Sequence, residues 1–135
     1  MSDLAALYRR WLFELWQTPD ERLSAELFTP GFVIHQAGAE WPTGPDAAVS
    51  LVRMGLAPFR NIELRIDVGP LVAGDFVSAR WGFTGAYAGG IPSVPAAEGT
   101  RVTFGGIDIM RAEGDRFAEY WVSSDGLDLM QQLGA

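Results

Sequence analysis

Between residues 62 and 68 the chain alternates strictly, with Ile62, Leu64, Ile66 and Val68 set against Glu63, Arg65 and Asp67. A period of two places the apolar set on one face of a pleated strand and the charged set on the other. This segment therefore reads as a strand covered on one side only. The chain before it has a different period. Leu4, Leu7, Trp11, Leu12, Leu15 and Trp16 recur at spacings of three and four, which is one apolar face of a helix over residues 3–16. Thr18-Pro19-Asp20-Glu21 reads as the start of a second helix, with Thr18 as cap, Pro19 at the first helical position and Glu21 closing the capping box. Thr29-Pro30-Gly31 ends that helix near Phe28. A short strand, Phe32 to His35, and a loop rich in Gly, Ala and Pro follow. Gly44-Pro45-Asp46 then opens a third helix to about Met54, with Val49, Val52 and Leu56 on its apolar side.

After Val68 the pattern stays extended. Gly69-Pro70 predicts a kink or bulge, and Gly74-Asp75 a hairpin turn. In the strand from Phe76 to about Tyr87, apolar residues fall on both parities, so it is expected to be central and covered on both faces. Gly89-Gly90, Pro92, Pro95 and Gly99 mark residues 88–99 as a mobile loop. Strands over about 101–112 and 116–124 are joined through Glu113-Gly114-Asp115, and Asp125-Gly126-Leu127 leads into a short terminal helix. Helices first and a strand meander second predict an α+β domain over residues 1–135. Its three N-terminal helices would pack on one face of a cone-shaped, curved antiparallel sheet and enclose a pocket.

Composition narrows the function. The formal net charge is −7 and the arginines are scattered, which disfavours nucleic acid, whose phosphates need a positive face. The N-terminus lacks the basic start and apolar run of a signal peptide, and no stretch is apolar enough to span a membrane, so a cytoplasmic protein is expected. Without cysteine there is no disulfide, thiolate metal site or thiol nucleophile, and a lone histidine argues against any metal site. The generous aromatic content suits a packed core and is compatible with an apolar pocket.

The last hairpin carries the candidate chemistry. If Gly114-Asp115 is a two-residue turn, Asp108 opposes Trp121, Gly106 opposes Ser123 and Phe104 opposes Asp125. Val102, Phe104, Asp108, Met110, Trp121, Ser123 and Asp125 then share one face. A carboxylate on an apolar face has a raised pKa and can serve as a general acid or base. Asp125, at the strand end, is placed to do so, or else to cap the terminal helix. Asp108 lies mid-strand, where an exposed edge or an arginine partner such as Arg111 or Arg80 would give it a structural role instead. His35 is the only histidine, at a position compatible with a pocket rim. Arg80 could hold a substrate oxygen, and Tyr87 could donate to a ligand carbonyl.

Several segments together resemble the SnoaL-like polyketide cyclases, within the nuclear-transport-factor-two-like superfamily. They are Phe117-Ala118-Glu119-Tyr120-Trp121 followed by Asp125 and Gln131-Gln132-Leu133-Gly134, Val33-Ile34-His35, Ala73-Gly74-Asp75-Phe76-Val77 with Arg80, Gly85-Ala86-Tyr87-Ala88-Gly89, and Gly106-Ile107-Asp108-Ile109-Met110-Arg111. The resemblance covers nearly the whole chain. It implies a cone-shaped α+β barrel, dimeric through the outer sheet face, and ring closure by intramolecular aldol condensation without metal or organic cofactor. It also implies Asp125 as the acid/base and His35 as a pocket histidine. The chain departs from the family pattern at Tyr87, where histidine is frequent, at Phe59-Arg60-Asn61, and at Ala96-Ala97-Glu98-Gly99.

The expected function is thus cofactor-independent acid/base chemistry on a small hydrophobic carbonyl compound. Asp125 would move the proton, and Tyr87, Arg80 or His35 would stabilise the enolate oxygen. Asp108, Trp121 and Ser123 would contact the substrate, and loop 88–99 would act as a lid. The same fold leaves room for an isomerase built on Asp108, Asp125 and Tyr87. An epoxide hydrolase would require a carboxylate–arginine–carboxylate relay, for which Arg80 or Arg111 is near enough in sequence, and Asp108 and Arg80 on opposite sheet faces would remove it. A ligand-binding or dimerisation module without turnover is the non-enzymatic alternative.

Overall fold

The computed structural model describes residues 3–135. Asp3 caps helix α1 (Leu4–Arg10) by accepting the Ala6 N–H at 3.0 Å, and the helix continues as a π-helical turn, Trp11–Leu15. Helix α2 (Glu21–Leu27) begins later than its sequence signal suggests. Asp20, not Thr18, is the cap, its carboxylate taking the Leu23 N–H at 3.0 Å, and Pro19 lies outside the helix. Strand β1 (Phe28–Gln36) starts at once and runs through Thr29-Pro30-Gly31. Pro30 is tolerated there because β1 is an edge strand, where a missing donor breaks no inner ladder. Then come α3 (Pro45–Leu56), β2 (Phe59–Ala73), β3 (Phe76–Tyr87), β4 (Arg101–Glu113), β5 (Arg116–Ser124) and α4 (Gly126–Gln132).

The strands form one sheet in the order β1-β5-β4-β3-β2. Neighbours are antiparallel except β1, which lies parallel to β5 and so departs from the all-antiparallel sheet expected. Most of the chain separates that pair, so no tight turn constrains its direction. Gly74-Asp75 and Gly114-Asp115 make the expected two-residue turns, and the β2–β3 register shifts on both sides of Val68, next to Gly69-Pro70.

The last hairpin departs from its expected register. Glu113 opposes Arg116 and Ala112 opposes Phe117, but Arg111 opposes Glu119, which leaves Ala118 as an extra residue. Beyond this bulge Ile109 opposes Trp121, Asp108 opposes Val122 and Gly106 opposes Ser124. A one-residue slip moves every later side chain to the other face. Trp121 and Ser123 therefore leave the Asp108 face, and Tyr120, Val122 and Ser124 join it.

On the inner face, Ala79, Asp108, Val122 and Gln36 form one cross-strand row, and Val77, Met110, Tyr120 and Ile34 the next. The helices pack on these rows. Trp11 meets Phe28 and Tyr120 edge-on, at centroid distances of 5.6 and 5.4 Å. Each such fully buried side chain contributes about 1.5–3 kcal/mol of hydrophobic stabilisation. A smaller cluster of Tyr87, Val102 and Leu133, with Phe59, Ile91, Val94 and Leu129 against it, ties loop 88–99 and α4 to one end of the sheet. Among the described residues, no helix is long and apolar enough to cross a membrane.

Candidate active site

Between the helices and the inner sheet face lies a cavity of about 370 Å³. Its walls are largely apolar and rich in aromatic rings, with Trp16 after the first helical segment, Trp41 from the loop before α3, and Trp81, Phe83 and Phe104 from the sheet. Ile91 from loop 88–99 and Leu129 from α4 close one end. The polar lining consists of Gln36, which accepts the Trp41 indole N–H at 2.9 Å, and Asp108, Tyr120 and Ser124. Among the described residues, no arginine or histidine lines it.

Asp108 is 1% exposed and, among the described residues, is the cavity's only carboxyl group. Its Oδ1 accepts the Tyr120 hydroxyl at 2.7 Å and the Trp81 indole N–H at 3.0 Å. Its Oδ2 accepts the Tyr8 hydroxyl at 2.8 Å and the Trp11 indole N–H at 3.3 Å. Burial pushes the carboxyl pKa up, and the four donors partly offset this by favouring the anion. Burial also raises the phenols of Tyr8 and Tyr120, and the adjacent carboxylate raises them further. Trp81 reaches Asp108 because Gly106 stands beneath it; a Cβ there would collide with the indole.

The residues singled out in the sequence are distributed over several places. Asp108 lines the cavity. Arg80 and Asp125 form an ion pair at 2.9 Å, with side chains 40% and 44% exposed, and neither lines the cavity. Arg80 pairs in register with Ile107 while Asp108 pairs with Ala79, so Arg80 and Asp108 lie on opposite faces and an epoxide-opening relay between them is not assembled. Asp125 stands at the N-cap of α4, but its side chain goes to Arg80 and makes no capping bond. His35 stacks on Trp121 at 4.9 Å and bonds Glu119 at 2.7 Å, and Glu119 in turn holds Arg111 at 2.9 Å. His35, Trp121 and Ser123 line an open groove of about 750 Å³ with Ile107 and Ile109. The Tyr87 hydroxyl is occupied by loop 88–99, accepting the Ile91 N–H at 3.0 Å. Among the described residues, no cluster of side chains could hold a metal ion.

Sequence reasoning missed Tyr8, Trp11, Trp81 and Tyr120 as the donors around Asp108. Tyr8 carried a usable signal, since Leu4, Tyr8 and Trp11 are spaced four and three apart and put a hydroxyl on the apolar helix face. Tyr120 carried none, because the bulge alone decides its side.

A family model described as SnoaL-like polyketide cyclase matches residues 6–133. Solved structures are similar over almost the whole chain. TsrD from Streptomyces laurentii is 28% identical, covering 98% of this chain and 95% of that one, with a TM-score of 0.82. A polyketide cyclase candidate from Bacillus cereus is also 28% identical, covering 95% of this chain and 78% of that one, with a TM-score of 0.76. IdmH, a polyketide cyclase candidate from Streptomyces antibioticus, shares the fold at 24% identity, covering 91% and 93% with a TM-score of 0.75. The chain matches no curated protein by sequence.

Proposed function

The chain belongs to the SnoaL-like polyketide cyclase family, and we propose that it closes a ring on a small, apolar carbonyl substrate held in the interior cavity, with Asp108 as the acid/base. One observation carries this reading: a mostly apolar cavity of about 370 Å³ in which the one carboxyl group among the described residues is buried and held by four donors. Intramolecular aldol closure needs a proton removed α to one carbonyl and returned to the alkoxide that forms at the other. Burial makes Asp108 a stronger base than an exposed carboxylate, as that exchange requires. The sequence contains no lysine, so no lysine Schiff base can activate the carbonyl, and the reaction has to pass through an enol or enolate. The aromatic walls hold the chain folded so that its reacting carbons meet. A lining whose one ionisable acid is Asp108, without arginine or histidine among the described residues, suits an uncharged substrate.

The rival carboxylate is Asp125, to which the family resemblance gives the acid/base role. Its pairing with Arg80 and its position outside the cavity lining favour Asp108. The test is α-proton exchange of 2-tetralone, an enolisable aromatic ketone, in D2O by proton NMR. Wild type is expected to exceed the buffer rate, Asp108→Asn to fall roughly a hundredfold or more, and Asp125→Asn to stay near wild type. Loss in Asp125→Asn with retention in Asp108→Asn would transfer the role to the outer pair.

A second copy of the chain is the partner that suits the outer sheet face. Val68, Leu71, Phe76, Ile107 and Ile109 are exposed there, and Leu71, Ser78, Ile109, Trp121 and His35 form one row across all five strands. Several large apolar side chains exposed on one sheet face suit a surface that a partner covers.

A further inference from the structure

A carboxylate offers about four lone-pair positions, two on each oxygen. All four are taken on Asp108, Oδ1 by Tyr120 and Trp81, and Oδ2 by Tyr8 and Trp11. As an anion it therefore has no open site for a substrate proton. The two indoles can only donate and cannot turn away, whereas a phenol can both donate and accept. Of the two phenols, Tyr120 lines the cavity and Tyr8 does not. Asp108 lines the cavity too, but with its four positions taken, the cavity-lining group beside it that can both take and give a proton is the Tyr120 hydroxyl, 2.7 Å from Oδ1.

We propose that Tyr120 is the catalytic residue that touches the substrate, and that Asp108 acts through it as the far end of a two-proton relay. This rests on the acid/base reading above and deepens it. In the forward step the substrate's α C–H bond breaks, and its proton forms a new O–H bond on Tyr120 Oη. In the same step the original Tyr120 proton moves to Asp108 Oδ1. The C–H electron pair stays on the substrate as the enolate, Tyr120 remains a neutral phenol and Asp108 becomes the neutral acid. No net charge is gained or lost. The new O–H of Tyr120 now points into the cavity while its oxygen accepts from Asp108. The same hydroxyl therefore presents a lone pair to the ligand when Asp108 is ionised and a proton when it is not. Reversal of the relay delivers that proton to the alkoxide formed on ring closure. The high proton affinity that burial gives both groups keeps the tyrosine from being trapped as a phenolate.

The experiment extends the 2-tetralone exchange assay to Tyr120→Phe and Tyr8→Phe, each checked for an intact fold by circular dichroism. Tyr120→Phe is expected to lose roughly a hundredfold or more. Tyr8→Phe removes an equivalent donor from the other oxygen and is expected to displace the pH profile while slowing exchange less than about tenfold. Equal losses in the two variants would mean that both hydroxyls merely hold the carboxylate, and would overturn the relay. Full exchange in folded Tyr120→Phe would overturn it while leaving Asp108 as a direct base. Wild type no faster than buffer would instead remove the acid/base reading itself, and the relay with it. If Tyr120→Phe does not fold, Tyr120→3-fluorotyrosine keeps shape and hydroxyl but makes the phenol more acidic. A changed rate and a displaced pH profile then support the relay, and an unchanged profile overturns it.

Discussion

Replacing Asp108 by asparagine sets the cost of burying a charge against the cost of stranding its donors. A carboxamide has one oxygen, which can keep one phenol and one indole, and an NH2 group that faces the other phenol and indole. The phenol can turn and accept from the NH2 group; the indole cannot. Whichever way the amide is oriented, one buried N–H among Trp11 and Trp81 is left without a partner, which costs about 1–3 kcal/mol. At about 4 °C per kcal/mol for a chain of this size, the melting temperature should fall by roughly 4–12 °C. The deficit should depend on pH. Because the Asp108 pKa is raised in the folded state, folded wild type binds more protons than unfolded wild type between the ordinary aspartate value and the folded one. Its stability is full below that window and declines as pH rises through it, whereas asparagine does not titrate. The gap between variant and wild type should therefore be widest at low pH and shrink as pH rises. Urea unfolding at several pH values from 5 to 8 measures it. A gap that widens with pH would show that the four donors outweigh burial and hold the carboxyl below its ordinary value, refuting the reasoning.

Gly106→Ala should drive the Trp81 indole off Asp108 and into the cavity, costing about 1–3 kcal/mol and changing tryptophan fluorescence; an unaltered melt and spectrum would contradict it. Ile109→Arg, at the centre of the outer row, should leave a folded monomer by sedimentation if a second copy covers that face, and an unchanged sedimentation coefficient would oppose this. Tyr87→Phe removes the acceptor of the Ile91 N–H, so amide exchange over residues 88–99 should quicken while global stability drops by about 1 kcal/mol or less; protection equal to wild type would show that the hydroxyl does not hold the loop. Glu119→Gln should remove a contribution that is present above the ordinary glutamate pKa and lost as pH falls through its lowered folded value, seen as a flatter acid-unfolding curve.

The local rules of the chain determined its elements. A three-and-four spacing made α1, strict alternation made the first part of β2, and Gly-Asp pairs made both two-residue turns. Helices followed by a meander then left a single layered arrangement, with Asp108 on its inner side. The residues around Asp108 were another matter. From Phe117 to Val122 apolar side chains occupy both parities, so no hydrophobic pattern distinguishes one register from the next. The extra residue at Ala118 decided that Tyr120 faces the cavity and that Trp121 and Ser123 face away. Tyr8 is separated from Asp108 by 100 residues and meets it only because the first helix packs across the sheet. Secondary structure is specified by neighbours within one or two turns of chain, and those are written in sequence order. A buried carboxylate's partners are chosen by packing between layers, and that choice exists only once the sheet has its register and the helices have settled on it.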